Sequence, residues 1–95
     1  MNIMNDTYTA LRNAKLIKSG RQFSITYVNR NANWFAYQKH NGRDFSLVAA
    51  IDCLRSIRLR TQREEALNGV QTRALQAIEN QLTAYLKSTF NLGVG

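Results

Sequence analysis

A small α+β domain, with helices packed against a small antiparallel sheet, is the fold class that the sequence predicts. Three observations lead to it. Residues 22–28 alternate apolar and polar side chains as a strand does, Asn41-Gly42 is the favoured turn of a β-hairpin, and apolar residues recur at helical spacing from Ser46 onward. The predicted order is α-β-β-(β)-α-α, a single domain over residues 1–95 that ends in a C-terminal helical hairpin.

The first predicted element is a helix over about residues 6–19. Asp6 can cap its free N–H groups, and Ser19-Gly20 is the expected stop, with the glycine in the left-handed conformation. One side of this helix is apolar at a spacing of 100° per residue. That side consists of Met4, Ala10, Leu11, Ala14 and Ile17.

The predicted hairpin follows, over about residues 22–45. In its first strand Phe23, Ile25 and Tyr27 share one face, whereas Ser24 and Thr26 share the other. The second strand, 34–39, carries aromatic side chains on both faces, which a sheet covered by helices on one side does not accommodate. A short third strand is expected at 43–45.

Two further helices are predicted, over about residues 46–67 and 70–90, with 91–95 as a loose tail. Ser46 or Asp44 is expected to cap the first of them, and Asn68-Gly69 separates the two. The stripe of the last helix either packs on its neighbour or joins two copies of the chain, so monomer and homodimer both stay open. This stripe consists of Leu75, Ile78, Leu82 and Tyr85.

Composition excludes several classes of protein. The chain has one cysteine and therefore no internal disulfide, and it opens without the basic and apolar stretches of a signal peptide. No apolar run approaches the roughly 18 residues of a membrane span. We therefore expect a soluble cytoplasmic protein with no membrane association.

The chain carries a formal net charge of +7, and the excess lies in its first half. Residues 1–43 contain seven basic side chains against Asp6 alone, whereas the later residues are nearly balanced. Such asymmetry favours a polyanionic partner. The alternative is that these side chains only solubilise a helix surface. The seven are Arg12, Lys15, Lys18, Arg21, Arg30, Lys39 and Arg43.

Trp34 is the most informative aromatic residue of the predicted hairpin. If Phe35 and Tyr37 join the core, the Trp34 indole stands on the open face beside Arg30 and Arg43, where it can stack on a base or anchor a protein partner. The alternative is that the indole is covered by helices. The candidate binding residues are Arg12, Lys15, Lys18, Arg21, Arg30, Trp34, Tyr37, Arg43 and Arg58.

Catalytic and metal sites are not predicted. Cys53 and His40 are the only members of their types, and Cys53 falls at the edge of a buried helix face. Glu64 and Glu65 are adjacent, so they point apart on a helix, and no cluster offers three or four metal ligands. No glycine-rich phosphate loop is present. We expect neither enzymatic activity nor a cofactor.

The sequence therefore predicts a small, basic, non-enzymatic binding protein that engages nucleic acid or a nucleoprotein complex. Arg58 lies apart from the basic half, on the flank of the second predicted helix. There it is either a solvent-exposed side chain with no binding role or a contact to a partner. In its short, basic, cysteine-poor style the chain resembles accessory proteins of phages and plasmids. The alternative function is a protein–protein inhibitor or adaptor, such as an anti-CRISPR-like antagonist of a host defence complex.

Overall fold

Every regular element in the computed structural model, which describes residues 2–63 and 66–91, is a helix. No strand occurs within those residues, so the predicted α+β class with its antiparallel sheet is wrong. The elements are α1 (Ile3–Asn13), α2 (Gly20–Gln22), a π-helix (Phe23–Tyr27) that continues α2, α3 (Trp34–His40), α4 (Leu47–Arg63) and α5 (Gly69–Phe90).

The predicted first strand is the continuous helical turn formed by α2 and the π-helix. Its buried side chains are Phe23, Ser24, Tyr27 and Val28, which follow a helical repeat, whereas Ile25 is 52% exposed. The Phe23 and Tyr27 positions fit a period of two and also a helical spacing of four, so the alternation was ambiguous. The burial of the four side chains that follow the helical repeat decided in favour of a helix, because the strand propensity of a short segment is weak compared with tertiary packing.

Residues 34–39, predicted as the second strand, belong to α3. This explains why aromatic side chains fell on both faces of the predicted strand. On a helix Trp34, Phe35 and Gln38 lie on one side, and these are the buried or half-buried residues of α3. Ala36 and Tyr37 lie on the exposed side. The predicted third strand, 43–45, is a connection without regular structure.

Asn41-Gly42 ends α3 instead of turning a hairpin. Gly42 has a φ of +64°, the left-handed conformation that glycine adopts without strain. Its N–H donates to the Lys39 carbonyl at 3.1 Å, and the Arg43 N–H donates to the Gln38 carbonyl at 2.9 Å. This is the paired hydrogen bonding of a Schellman cap, which suits the same dipeptide as a tight β-turn does.

The first helix begins and ends earlier than predicted. Asn2, not Asp6, is its N-cap, and the last helical residue is Asn13. Lys15, with a φ of +61°, takes the left-handed position expected of Gly20. The Ser19 side chain accepts a hydrogen bond from the Gln22 N–H, and Ser19-Gly20 therefore starts α2 instead of stopping α1.

A distant carboxylate completes the start of α1. Asp44 accepts hydrogen bonds from the Ile3 N–H at 3.0 Å and the Met4 N–H at 2.8 Å, and also from the Phe45 N–H at 2.7 Å. Because the first N–H groups of a helix have no partners within it, this contact ties α1 to the segment after α3. Ser46 caps α4, through the Ala49 N–H at 3.2 Å.

The core lies where α4 and α5 pack along each other, with α1 against α5 and the π-helix against α4. Ala50, Cys53 and Ile57 of α4 are buried there, together with Leu75 and Leu82 of α5. Of the predicted ranges 46–67 and 70–90, α4 ends at Arg63, residues 64–65 lie outside the described residues, and α5 covers Gly69–Phe90. Residues 92–95 of the expected tail also lie outside them.

Candidate functional site

Ser24 joins the π-helix to α3 inside the protein. Its side chain is fully buried, and its Oγ donates to the Gly20 carbonyl at 2.8 Å. The same Oγ accepts the Phe35 N–H at 3.0 Å, which satisfies one of the free N–H groups in the first turn of α3. One small polar side chain thus fixes the position of α3 relative to α2.

Gly20 allows α2 and α3 to approach closely. A Cβ atom at this position would lie 2.7 Å from Cδ2 of the Phe35 ring, which is closer than non-bonded carbon atoms approach each other in proteins. Phe35 is buried and stacks on Tyr8 of α1, with 4.4 Å between ring centroids, so the ring has little space to retreat. The pair α2–α3 is therefore braced against α1.

The turn between the π-helix and α3 is held by its own backbone. Asn29 has a φ of +58°, a conformation that asparagine tolerates better than most residues. The Arg30 N–H donates to the Ser24 carbonyl at 2.9 Å, and the Val28 N–H donates to the Phe23 carbonyl at 3.2 Å. The region has the order of a helix–turn–helix: a short helix, a turn with a left-handed residue, and a second helix.

The outer side of α3 faces solvent. Ala36, Tyr37, Lys39 and His40 are exposed, as is Asn33, which precedes the helix. A shallow depression of about 540 Å³ adjoins this side. It is lined by Arg21, Asn31, Ala32, Asn33, Trp34 and Tyr37.

Trp34 occupies an intermediate position between the two alternatives set out for it. It is half-buried, and its ring packs on Phe45 with 6.2 Å between centroids and 24° between planes. Tyr37 is the more exposed ring, at 56%, and the Arg43 guanidinium carbon lies 5.8 Å from its centroid. The exposed aromatic residue beside a cation is therefore Tyr37.

The predicted basic residues divide into an exposed group and a paired group. Arg30 donates to Asp52 at 3.0 Å, and Arg58 donates to Glu79 at 3.1 Å, so both guanidinium groups hold ion pairs with α4 or α5. The exposed group lies on α1, α2 and the loops that follow α1 and α3. Its members are Arg12, Lys15, Lys18, Arg21 and Arg43.

The candidate binding residues named from the sequence do not include three polar residues that α3 and its N-cap expose, namely Asn33, Lys39 and His40, although Lys39 was counted in the basic half. As a strand, 34–39 offered no reason to group them. The signal was nevertheless present: the large apolar side chains of α3 sit at 34 and 35, and such a helix leaves 33, 36, 37 and 40 together on the opposite side.

The described residues offer little for catalysis. Burial raises the pKa of Cys53 to about 12, with the neighbouring Asp52 charge adding to the rise, so this thiol stays protonated at neutral pH. His40 is exposed at the end of α3, whereas Cys53 is fully buried in α4. Within residues 2–63 and 66–91 no group of three or more His, Cys, Asp or Glu side chains is placed to bind a metal ion.

No helix in the described part of the chain is long and apolar enough to span a membrane. The sequence profile described as "Family of unknown function (DUF6626)" matches residues 4–91. This match begins at the second residue of α1 and includes α2 to α5, with the turn between α2 and α3. No curated protein and no solved structure matches the chain.

Proposed function

The chain belongs to the family of unknown function DUF6626, and we propose that it is a non-enzymatic nucleic-acid-binding protein. Its binding surface is the outer side of α2, the turn 28–33 and α3. The observation that carries this proposal is the charge of one segment: from Thr7 to Arg43 the chain has seven Lys and Arg residues and no Asp or Glu. Four of the seven, Arg21, Arg30, Lys39 and Arg43, lie within this surface or directly after it.

Ion pairing separates the cations that are already offset from those that remain available to a ligand on this surface. The carboxylates of Asp52 and Glu79 pair with Arg30 and Arg58, whereas Arg21 and Arg43 flank α3 without a carboxylate on α2 or α3. Cations that are not offset by nearby anions attract polyanions and release the counterions condensed on them. The surface therefore favours a phosphate backbone as its ligand.

The remaining exposed side chains suit contacts with nucleotides. Asn31 and Asn33 can donate and accept hydrogen bonds, and Tyr37 offers both a ring and a hydroxyl group. Phosphate contacts position a protein on nucleic acid, while polar contacts to bases add selectivity. A protein with this role acts where nucleic acid is accessible, which we take to be the cytoplasm.

Titration of labelled oligonucleotides by fluorescence anisotropy tests the proposal. We expect affinity to fall as salt rises, with a log–log slope of about −0.9 for each phosphate contact on duplex DNA. Arg21→Glu should weaken binding by roughly tenfold, because it replaces an attraction by a repulsion. Lys87→Glu makes an equal charge change at an exposed position of α5. It is the matched control and should have a much smaller effect on binding.

Two results would contradict the proposal. One is the absence of binding to any oligonucleotide at low salt. The other is an equal loss for Arg21→Glu and Lys87→Glu, which would assign binding to net charge alone. If nucleic acid does not bind, a pull-down that survives nuclease treatment would favour the inhibitor or adaptor alternative.

A further inference from the structure

We infer that this surface binds double-stranded DNA with α3 lying in the major groove, where Asn33, Ala36 and Tyr37 contact base edges. The inference rests on the proposed function and adds the class of nucleic acid and the roles of individual residues. Three features of the described residues support it: the shape of the α2–α3 unit, the distribution of side chains around α3, and the burial of aromatic rings.

The shape suits a groove of B-DNA. The major groove is about 12 Å wide and admits one α-helix. With seven residues, α3 is about 10 Å long, and the side chains on its outer side are exposed. In helix–turn–helix proteins the second helix enters this groove while the first crosses the backbone.

The side chains around α3 separate into an inner and an outer set. Trp34, Phe35 and Gln38 face the protein. At 100° per residue the outer set falls within about one-third of the circumference. This set is Asn33, Ala36, Tyr37 and His40, all of them exposed.

The outer set has the chemistry of base readout. An asparagine side chain can form two hydrogen bonds to adenine, and an alanine methyl group packs on the methyl group of thymine. Asn33 is well placed for this role, because its side chain makes no capping bond to α3 and is not needed for the helix. Lys39 lies on the flank of the set, and Arg21 and Arg43 lie on either side of α3 in the sequence, which suits contacts to phosphates.

The burial of aromatic rings argues against single strands as the preferred ligand. Proteins that bind single strands stack successive bases on several exposed rings. All nine aromatic residues lie in the described ranges, and Tyr37 alone among them is exposed. Trp34 stacks on Phe45, and Phe35 stacks on Tyr8, so neither forms an open platform.

A competition experiment with defined ligands tests the inference. We expect duplex DNA to bind more tightly than a single strand of the same sequence and more tightly than duplex RNA, whose deep and narrow major groove excludes a helix. Dimethyl sulfate footprinting should show protected guanine N7 atoms, because these lie in the major groove. Tighter binding of single strands or of duplex RNA, or protection confined to the minor groove, would overturn the inference and leave nucleic-acid binding intact.

Variants separate base readers from phosphate contacts. After selection of preferred duplexes from a random library, Asn33→Ala should lose roughly tenfold in affinity for the selected site and keep its affinity for unselected DNA. Lys39→Ala should weaken binding to all duplexes alike and reduce the magnitude of the salt slope by about 0.9. Gln76→Ala, on the exposed side of α5, is the control and should change neither quantity.

Unchanged circular dichroism and thermal midpoints will show that the variants are folded. If selection yields no preferred sequence, or if Asn33→Ala weakens all duplexes equally, base readout by α3 is wrong. If no nucleic acid binds to the wild-type protein, this inference and the proposed function fail together.

Discussion

The segment that contains α1, α2 and α3 differs from the helical pair α4 and α5 in both charge and regularity. The first segment uses short helices, left-handed residues at Lys15 and Asn29, and a π-helix, and nearly all its charges are positive. The second consists of helices of 17 and 22 residues whose carboxylates Asp52 and Glu79 are paired. Both regions contribute buried side chains to one core, whereas the proposed binding surface lies in the first segment alone.

The two regions also depend on different hydrogen bonds. In α4 and α5 the side chains of Ser56, Thr61 and Thr72 bond to carbonyls four residues earlier, within their own helix or its cap. The first segment relies on partners from other elements, such as Asp44 at the start of α1 and Ser24 at the start of α3. Its conformation therefore requires the tertiary structure to be in place.

The largest effect is expected from removing the ring of Phe23, which is fully buried in the first segment. Phe23→Ala should lower the free energy of unfolding by about 3–5 kcal/mol, because a fully buried ring leaves a cavity. Ile25→Ala should change it by no more than about 0.5 kcal/mol, because Ile25 is exposed. Urea denaturation measures both. Equal losses for the two variants would contradict the helical arrangement and favour a strand.

A smaller loss is expected at the joint between the π-helix and α3. Ser24→Ala removes the acceptor of the buried Phe35 N–H and should cost about 1–3 kcal/mol. Ser88→Ala, at an exposed position of α5, provides the control and should leave the free energy of unfolding nearly unchanged. Hydrogen exchange at the Phe35 amide should accelerate more than exchange in α5. An unchanged Phe35 exchange rate would show that Ser24 does not hold α3.

The connection between α1 and the segment after α3 should contribute about 1 kcal/mol. Asp44→Ala removes the acceptor for two N–H groups at the start of α1. Asp6→Ala, which removes a carboxylate within the first turn of the same helix, should cost about 0.5 kcal/mol or less. Thermal denaturation of the two variants compares them. A larger loss for Asp6→Ala would mean that α1 is capped locally.

The smallest effect is expected from an ion pair in the regular region. The Arg58 and Glu79 side chains are each about one-third exposed, and such pairs contribute about 0.2–1 kcal/mol. A double-mutant cycle with Arg58→Ala and Glu79→Ala measures the coupling free energy by urea denaturation. A coupling well above this range would show that this pair contributes more to the packing of α4 on α5 than an exposed ion pair does.

The sequence located α4 and α5 within a few residues because their apolar repeats run over several helical turns. It misassigned 22–28 and 34–39, where the pattern covers only six or seven residues and fits two periods. The candidate site was partly predicted: Arg21, Tyr37 and Arg43 are exposed near α3, whereas Arg30 and Arg58 hold ion pairs that no local pattern reveals. Asn33, Lys39 and His40 were left out of the candidate binding residues because their grouping depends on α3 being a helix.

The sequence by itself determined the charge asymmetry and the two long helices, since each depends on composition or on a repeat sustained along the chain. The tertiary structure decided that the segment between Ser19 and Asn41 is helical and which of its side chains face outward. The physical reason is that a short segment has too small a conformational preference to select its own structure. Burial of Phe23 and Phe35 against α1 and α4, together with the buried hydrogen bonds of Ser24, made that selection.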